Sequence, residues 1–350
     1  MPPRLLPATF SVGLGQGVVH RLPDKLRAAA AAGLKGIEVF YPCLEAYAKE
    51  FDGETERDKL RSAARETGKL AQELGLDLFV LQPLLHYDGL KDPKEHKERL
   101  QDAKSRFELC KLLGCDMMQI PANFRLDDGV TGDEEKVVAD LQELADLGAK
   151  EDPPIRFAYE GMCWSTFNYT WQRSWNIVQK VDRPNFGIVL DAFHIAGYEF
   201  ANPVFPSGTR VGGLTRLVLS LEELARTFSL SKPANLAKVF YLQLADAELV
   251  DPPLSEIGAA ETSKSPFHVD GQQPRMSWSR NCRLYPGEKE RGGYMPIERV
   301  FKAFLETGYE GYLSFEVFHR ELFDKDPELP KRNAERAMRS WARLQQDFKL

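Results

Sequence analysis

The sequence predicts a closed parallel (β/α)8 barrel, a TIM barrel, built from the whole 350-residue chain. Three observations carry the prediction. Short apolar runs alternate with longer amphipathic stretches, the periodicities of strand and helix in turn. Eight such units follow one another at even spacing, and eight close into a barrel more naturally than they form an open sheet. No low-complexity linker interrupts the alternation and no motif recurs at a solenoid period, so residues 1–350 read as a single domain.

In chain order, the first strand is expected over Thr9–Gly13, before a helix over Pro23–Ala32 that stops at Gly33. Gly36–Phe40 is the second strand, and Glu56–Leu74 its helix, closed by Gly75. The third unit pairs Asp77–Gln82 with Asp92–Leu113, closed by Gly114; the fourth pairs Asp116–Ile120 with Asp133–Leu147, closed by Gly148. Glycine just past a helix is the residue that adopts the left-handed cap without strain. Ile155–Tyr159 and Thr170–Val181 form the fifth unit, Phe186–Leu190 and Leu214–Thr227 the sixth. Strand seven is Lys238–Ala245, and its helix, Pro296–Thr307, ends at Gly308. Tyr312–Glu316 and Lys331–Phe348 complete the ring. Between strand seven and helix seven lies a long irregular loop, Asp246–Tyr294. Its first part, Ser255–Ser265, reads as a mobile insertion. The part bearing Trp278, Arg280 and Arg283 reads as ordered and substrate-facing, on the barrel face where active sites are built.

The bulk composition narrows the function. A net charge of −6 and a pI near 5.7 argue against nucleic acid or an anionic membrane as the main partner. No apolar run approaches the roughly 20 residues that span a bilayer, and Met1–Phe10 lacks the pattern of a signal peptide. Five scattered cysteines without a CxxC pair fit a reduced, cytoplasmic protein. The sequence leaves the oligomeric state open.

The chemistry is concentrated at strand ends. Strands five to eight run into Glu160, Asp191, Gln243 and Glu316, all on one rim. An unpaired carboxylate at a core edge is costly or shifts its pKa until it is neutral. Three carboxylates and one amide carbonyl converging there match a single hard divalent ion such as Mg²⁺, Mn²⁺ or Co²⁺. Pairing with a barrel arginine, or capping the next helix, is the competing reading for any one of them.

His194 follows Asp191 by three residues and is the candidate general base, with a role in holding a ligand carboxylate as the alternative. His86, just past strand three, and Glu38, at the end of strand two, are candidate substrate contacts. Ser279 and Arg283, and with them Arg280, offer a hydroxyl and guanidinium to a substrate carboxylate. Gln82 and Gln119 add neutral hydrogen-bonding groups; Trp164, Phe193 and Trp278 are candidates for an apolar wall. Gly13–Gly17 lacks the spacing and the lysine of a phosphate loop.

Beyond these single residues, longer motifs resemble the fungal 3-dehydroshikimate dehydratases of the xylose-isomerase-like barrel superfamily. The segments are Leu81-Gln82-Pro83, Gln119-Ile120-Pro121-Ala122-Asn123, Tyr159-Glu160 with Cys163-Trp164-Ser165, Leu190-Asp191 and, most distinctive, Arg275 to Leu284. The resemblance implies one divalent metal held by Glu160, Asp191, Gln243 and Glu316, and a carboxylated ring contacted by His194, Ser279 and Arg283. It implies loss of water from 3-dehydroshikimate to give protocatechuate, by proton abstraction and a metal-stabilised enediolate. Gln243 and Met162 stand where some bacterial relatives have histidines, so the base assigned in those relatives does not transfer. A sugar isomerase or epimerase on the same barrel would use the same ligands, and a non-catalytic metabolite-binding barrel is the reading from a different class.

Overall fold

The computed structural model describes residues 4–350 and is a closed barrel of eight parallel strands wrapped by helices. The barrel strands are β1 (Leu5–Phe10), β2 (Gly36–Phe40), β3 (Asp77–Gln82), β4 (Met117–Pro121), β5 (Arg156–Glu160), β6 (Phe186–Asp191) and β7 (Val239–Gln243). A short antiparallel ladder of β8 (Asp246–Ala247) and β9 (Arg283–Leu284) intervenes before β10 (Gly311–Phe315), which closes the ring between β7 and β1. Among the described residues, no helix is long and apolar enough to cross a membrane.

Burial explains the arrangement. The lower barrel interior is filled by Ala8, Phe79, Val80, Met117, Ala158, Val189 and Tyr241, contributed by six strands. A larger apolar layer lies between the strands and the outer helices. Helix Ile297–Glu306 shows the logic: Ile297, Val300, Phe301 and Phe304 fall on one face and are all buried. Each such side chain contributes about 1.5–3 kcal/mol.

The observed elements depart from the expected ones where local sequence is ambiguous. The first strand begins earlier, at Leu5, and Ser11–Leu14 is a buried 3-10 turn rather than strand. Pro7 lacks a strand donor, yet its carbonyl accepts from the Lys35 amide at 2.8 Å, so it is tolerated in the barrel. Two eight-residue helices were not expected: Tyr41–Ala48 after β2 and Ala192–Glu199 after β6. Both sit on the C-terminal rim. The long loop also has more structure than its sequence implied, since it holds the β8–β9 ladder and helix Pro274–Cys282.

Candidate metal centre and active site

Strand register brings the acids together. Asp191 is level with Gln243 across β6 and β7, Gln243 with Ser314 across β7 and β10, and Glu160 with Pro121 across β5 and β4. Ligand atoms of Glu160, Asp191, His194 and Glu316 all fall within 4.8 Å of one another. Asp191 does two things at once. Its Oδ1 accepts from the Phe193 amide at 2.7 Å, capping helix Ala192–Glu199 and so placing His194 over the cluster. Its Oδ2 accepts from Arg283 Nη1 at 2.9 Å.

The cluster is short of positive charge. Glu38, Glu160, Asp191 and Glu316 are each 4% exposed or less, and Arg283 is the guanidinium among them. Arg283 Nη1 reaches Glu316 Oε2 at 2.7 Å as well as Asp191. Burial, followed by the neighbouring Glu316 charge, pushes Glu38 up to about 8 and Glu160 well above the usual carboxylate range. Burial outweighs Arg283 at Glu316, raised to about 7, and also raises Asp191. Carboxyl groups driven this way have too little positive charge beside them to stay ionised.

Unanswered acceptors point to the same conclusion. Glu38 Oε1, Glu160 Oε1, Gln119 Oε1 and Gln243 Oε1 are buried with no hydrogen-bond donor. The Gln243 amide is oriented: its Nε2 donates to Glu38 Oε2 at 2.9 Å, which leaves its carbonyl oxygen as a free acceptor. Gln119 likewise donates to Glu160 Oε2 at 2.8 Å, and Gln82 to Glu38 and Glu316 at 2.7 and 3.2 Å. Buried oxygen atoms without donors, among surplus carboxylates, fit a hard divalent ion. The cluster can hold a metal.

Above it opens a cavity of about 560 Å³. Glu160, Glu316, His194, Ser279, Arg283 and His86 line it, as the sequence led one to expect of rim residues. Glu38, expected to touch substrate, lies behind this surface, fully buried and bonded to Gln82 and Gln243. Its place suits orienting Gln243. Trp164 lines the cavity and packs edge-on against His194, with ring centres 4.6 Å apart. Trp278 does not line it; it is buried against Phe193, and Phe193 in turn lies under the Arg283 guanidinium at 4.1 Å. Gln82 and Gln119 do line the wall, yet their amide hydrogens are engaged by carboxylates.

Arg283 also differs from the free clamp that was expected. Nε donates to Ser279 Oγ at 2.9 Å, Nη1 to the two carboxylates, and Nη2 faces His194 Nε2 at 3.2 Å. The geometry does not present a bidentate fork to the cavity. Ser279, accepting from Nε, keeps its own hydroxyl hydrogen.

The two cavity histidines are set differently. His194 is buried, with Nδ1 3.2 Å from the Cys163 amide nitrogen and 3.5 Å from its Sγ, and with Nε2 3.4 Å from both Glu160 and Asp191. Burial first, then Arg283, drives its pKa well below the usual value, so the ring is neutral. His86 sits at φ +57°, a left-handed conformation rare for a side-chain-bearing residue and common at functional sites. Asn123 donates through Nδ2 to the Asp88 carbonyl and accepts the Arg125 amide on Oδ1, so its amide orientation is determined. His86 Nδ1, 3.2 Å from that Oδ1, must therefore be the donor. Nε2 is left as the acceptor.

Several cavity residues escaped the sequence reading. His319 is 3% exposed, lines the cavity and donates to Glu248 at 3.0 Å. Arg99 and Arg106 line the wall from helix Pro93–Leu113. Their seven-residue spacing was a visible signal, masked by the many other charges of that helix. His268, by contrast, pairs with Asp270 and is not part of the cavity lining.

Comparisons with known proteins agree with the barrel fold. The xylose isomerase-like TIM barrel family matches residues 26–344. A 3-dehydroshikimate dehydratase of Neurospora crassa is 41% identical over all of this chain and 96% of that protein. A Pseudomonas putida 3-dehydroshikimate dehydratase is 28% identical over 94% of this chain, which spans 40% of that longer protein. Among solved structures, a xylose isomerase-like TIM barrel/4-hydroxyphenylpyruvate dioxygenase fusion protein superposes with a TM-score of 0.70 at 25% identity, covering 98% of this chain and 43% of that one. The resemblance read from the motifs thus extends along the whole sequence. The chain belongs to the xylose isomerase-like TIM barrel family, and within it stands beside the Neurospora protein over its full length.

Proposed function

We propose that the protein is a metal-dependent 3-dehydroshikimate dehydratase, a lyase that removes water from 3-dehydroshikimate to give protocatechuate. One observation carries the reading: a buried, cation-deficient cluster at the base of a cavity large enough for a single ring, in a chain related end to end to a named dehydratase.

In this reading Glu160, Asp191, Gln243 and Glu316 hold one Mg²⁺, Mn²⁺ or Co²⁺ ion. When bound, the ion supplies Lewis-acid stabilisation of the negative charge that develops on the substrate's ketone oxygen. Glu38 holds Gln243 with its carbonyl oxygen toward the ion. His194 is kept neutral by burial and by Arg283; in the tautomer with its hydrogen on Nδ1, toward Cys163 Sγ at 3.5 Å, its Nε2 takes the proton from the carbon beside the ketone. Ser279 donates its free hydroxyl hydrogen to the substrate, and Arg283 offers the remaining Nη2 hydrogen while balancing Asp191 and Glu316. His86 accepts a hydrogen bond from a ring hydroxyl through Nε2. The departing hydroxyl takes back the proton that His194 removed and leaves as water, and enolisation of the remaining dienone gives the aromatic ring, which makes the overall conversion strongly downhill. The five cysteines, all buried and unpaired, fit a cytoplasmic setting.

The test is direct. Purified protein supplied with Mg²⁺, Mn²⁺ or Co²⁺ is incubated with 3-dehydroshikimate while the protocatechuate ultraviolet band is followed. Its growth is expected, and its absence with all three ions refutes the activity.

A further inference from the structure

A ring acid needs a partner for its carboxylate, and Arg283 is poorly placed to be that partner. Most of its donors are engaged, and a carboxylate beside it would also stand against Glu160, Asp191 and Glu316. Like charges at such separations in a buried site repel strongly. The anion belongs elsewhere in the cavity.

The wall on the β3 side, across the ring from β7, is basic. Arg99 and Arg106 both line the cavity there, beside His86 and Phe124, and they differ in their partners. Arg106 is engaged: it makes a bidentate pair with Asp102 at 3.1 and 2.9 Å and donates to the Pro83 carbonyl at 2.7 Å. Arg99 has only the same Asp102, at 4.0 Å and already taken by Arg106. Its Nε is buried with no acceptor. Glu45 shares the wall, but among the described residues it forms no ion pair with Arg99. A guanidinium stays charged, and although the Arg99 side chain is 39% exposed, its buried Nε has no acceptor and leaves a place for an anion at the cavity wall. Arg280, also at the cavity, is exposed and bonds Gln272 at a long 3.4 Å.

We propose that Arg99 binds the carboxylate of the substrate ring, so that the ring's oxygenated end is turned toward the acidic cluster. The substrate's identity rests on the dehydratase reading; the demand for an anion at Arg99 does not.

The experiment compares 3,4-dihydroxybenzoate with its neutral isostere 3,4-dihydroxybenzamide, by calorimetry on Mg²⁺-loaded protein. In R99Q the acid is expected to bind roughly 10- to 100-fold more weakly, with the amide unchanged. R99K should recover part of the loss, and the KM for 3-dehydroshikimate should rise in R99Q far more than kcat falls. Equal weakening of acid and amide, or unchanged acid binding, overturns the proposal. So does a selective loss in R280Q in place of R99Q, which would move the subsite to the rim. If the wild type fails to turn over 3-dehydroshikimate while R99Q still loses acid binding selectively, the activity fails and the anion site stands. Normal turnover with an unaltered KM in R99Q leaves the activity standing and removes Arg99 from carboxylate binding.

Discussion

The acidic floor of the cavity and the basic wall across from it are built from different parts of the barrel. The floor comes from the ends of β5, β6 and β7 and the residue after β10, so strand register alone brings Glu160, Asp191, Gln243 and Glu316 together. The wall comes from a helix and two loops, with Arg99, Arg106, His86 and Phe124 meeting only after the outer layer has packed. The floor is buried, cross-bonded and electrostatically strained; the wall is part-exposed and keeps loose donors. A rigid floor suits holding an ion and stabilising charge, whereas a looser wall suits recognising which ring arrives. The difference assigns chemistry to one side and selection to the other.

Substitutions can break that division. The largest effect is expected on the floor: E160Q and E316Q, like chelation of the ion, should abolish turnover as followed by protocatechuate absorbance. Full activity in either variant would show that the ligands are misassigned. Next, H194A should lower kcat by about a hundredfold to ten-thousandfold while metal affinity, measured by titration, is retained. A loss confined to metal binding would make His194 a positioning residue instead.

E38Q tests the layer beneath. It should weaken metal binding about tenfold through the orientation of Gln243, with little change in KM once the ion is saturating. A rise in KM alone would return Glu38 to the substrate-binding role that its place in the sequence suggested.

The smallest effect is on stability. Glu38 and Glu316 titrate near 8 and 7 in the folded, metal-free protein, against about 4.3 when unfolded. Between those values the folded state binds more protons, so stability falls as pH rises from about 5 to 8. The metal-free Tm should drop across that window, by roughly 1 to 2 °C for each kcal/mol lost. Added divalent ion should raise Tm more at pH 8 than at pH 5, because it favours the ionised carboxylates. A flat profile would mean that the floor is already compensated without metal.

The floor was legible because β-strands print their ends into the sequence. An apolar run such as Phe186–Leu190 that stops at Asp191 marks both the element and its rim residue. The same pattern located His194 by its spacing from Asp191, but not the short helix that aims it, since eight residues after a strand look like loop. Arg283 was correctly placed at the rim and incompletely interpreted. That it would meet Asp191 and Glu316, 92 and 33 residues away in sequence, depends on how the β8–β9 ladder folds the long loop inward.

By itself the sequence determined the barrel and the four strand-end residues, because both follow from local periodicity and from the parallel order of βα units. Only the tertiary structure decided which donors are left over. Hydrogen bonds between distant residues engage Arg283 and Arg106, leave Gln243 Oε1 and Arg99 Nε unanswered, and determine which nitrogen of His86 is free. Those leftovers are properties of packing, where each polar group's partner is chosen by proximity in space, and no spacing along the chain encodes them.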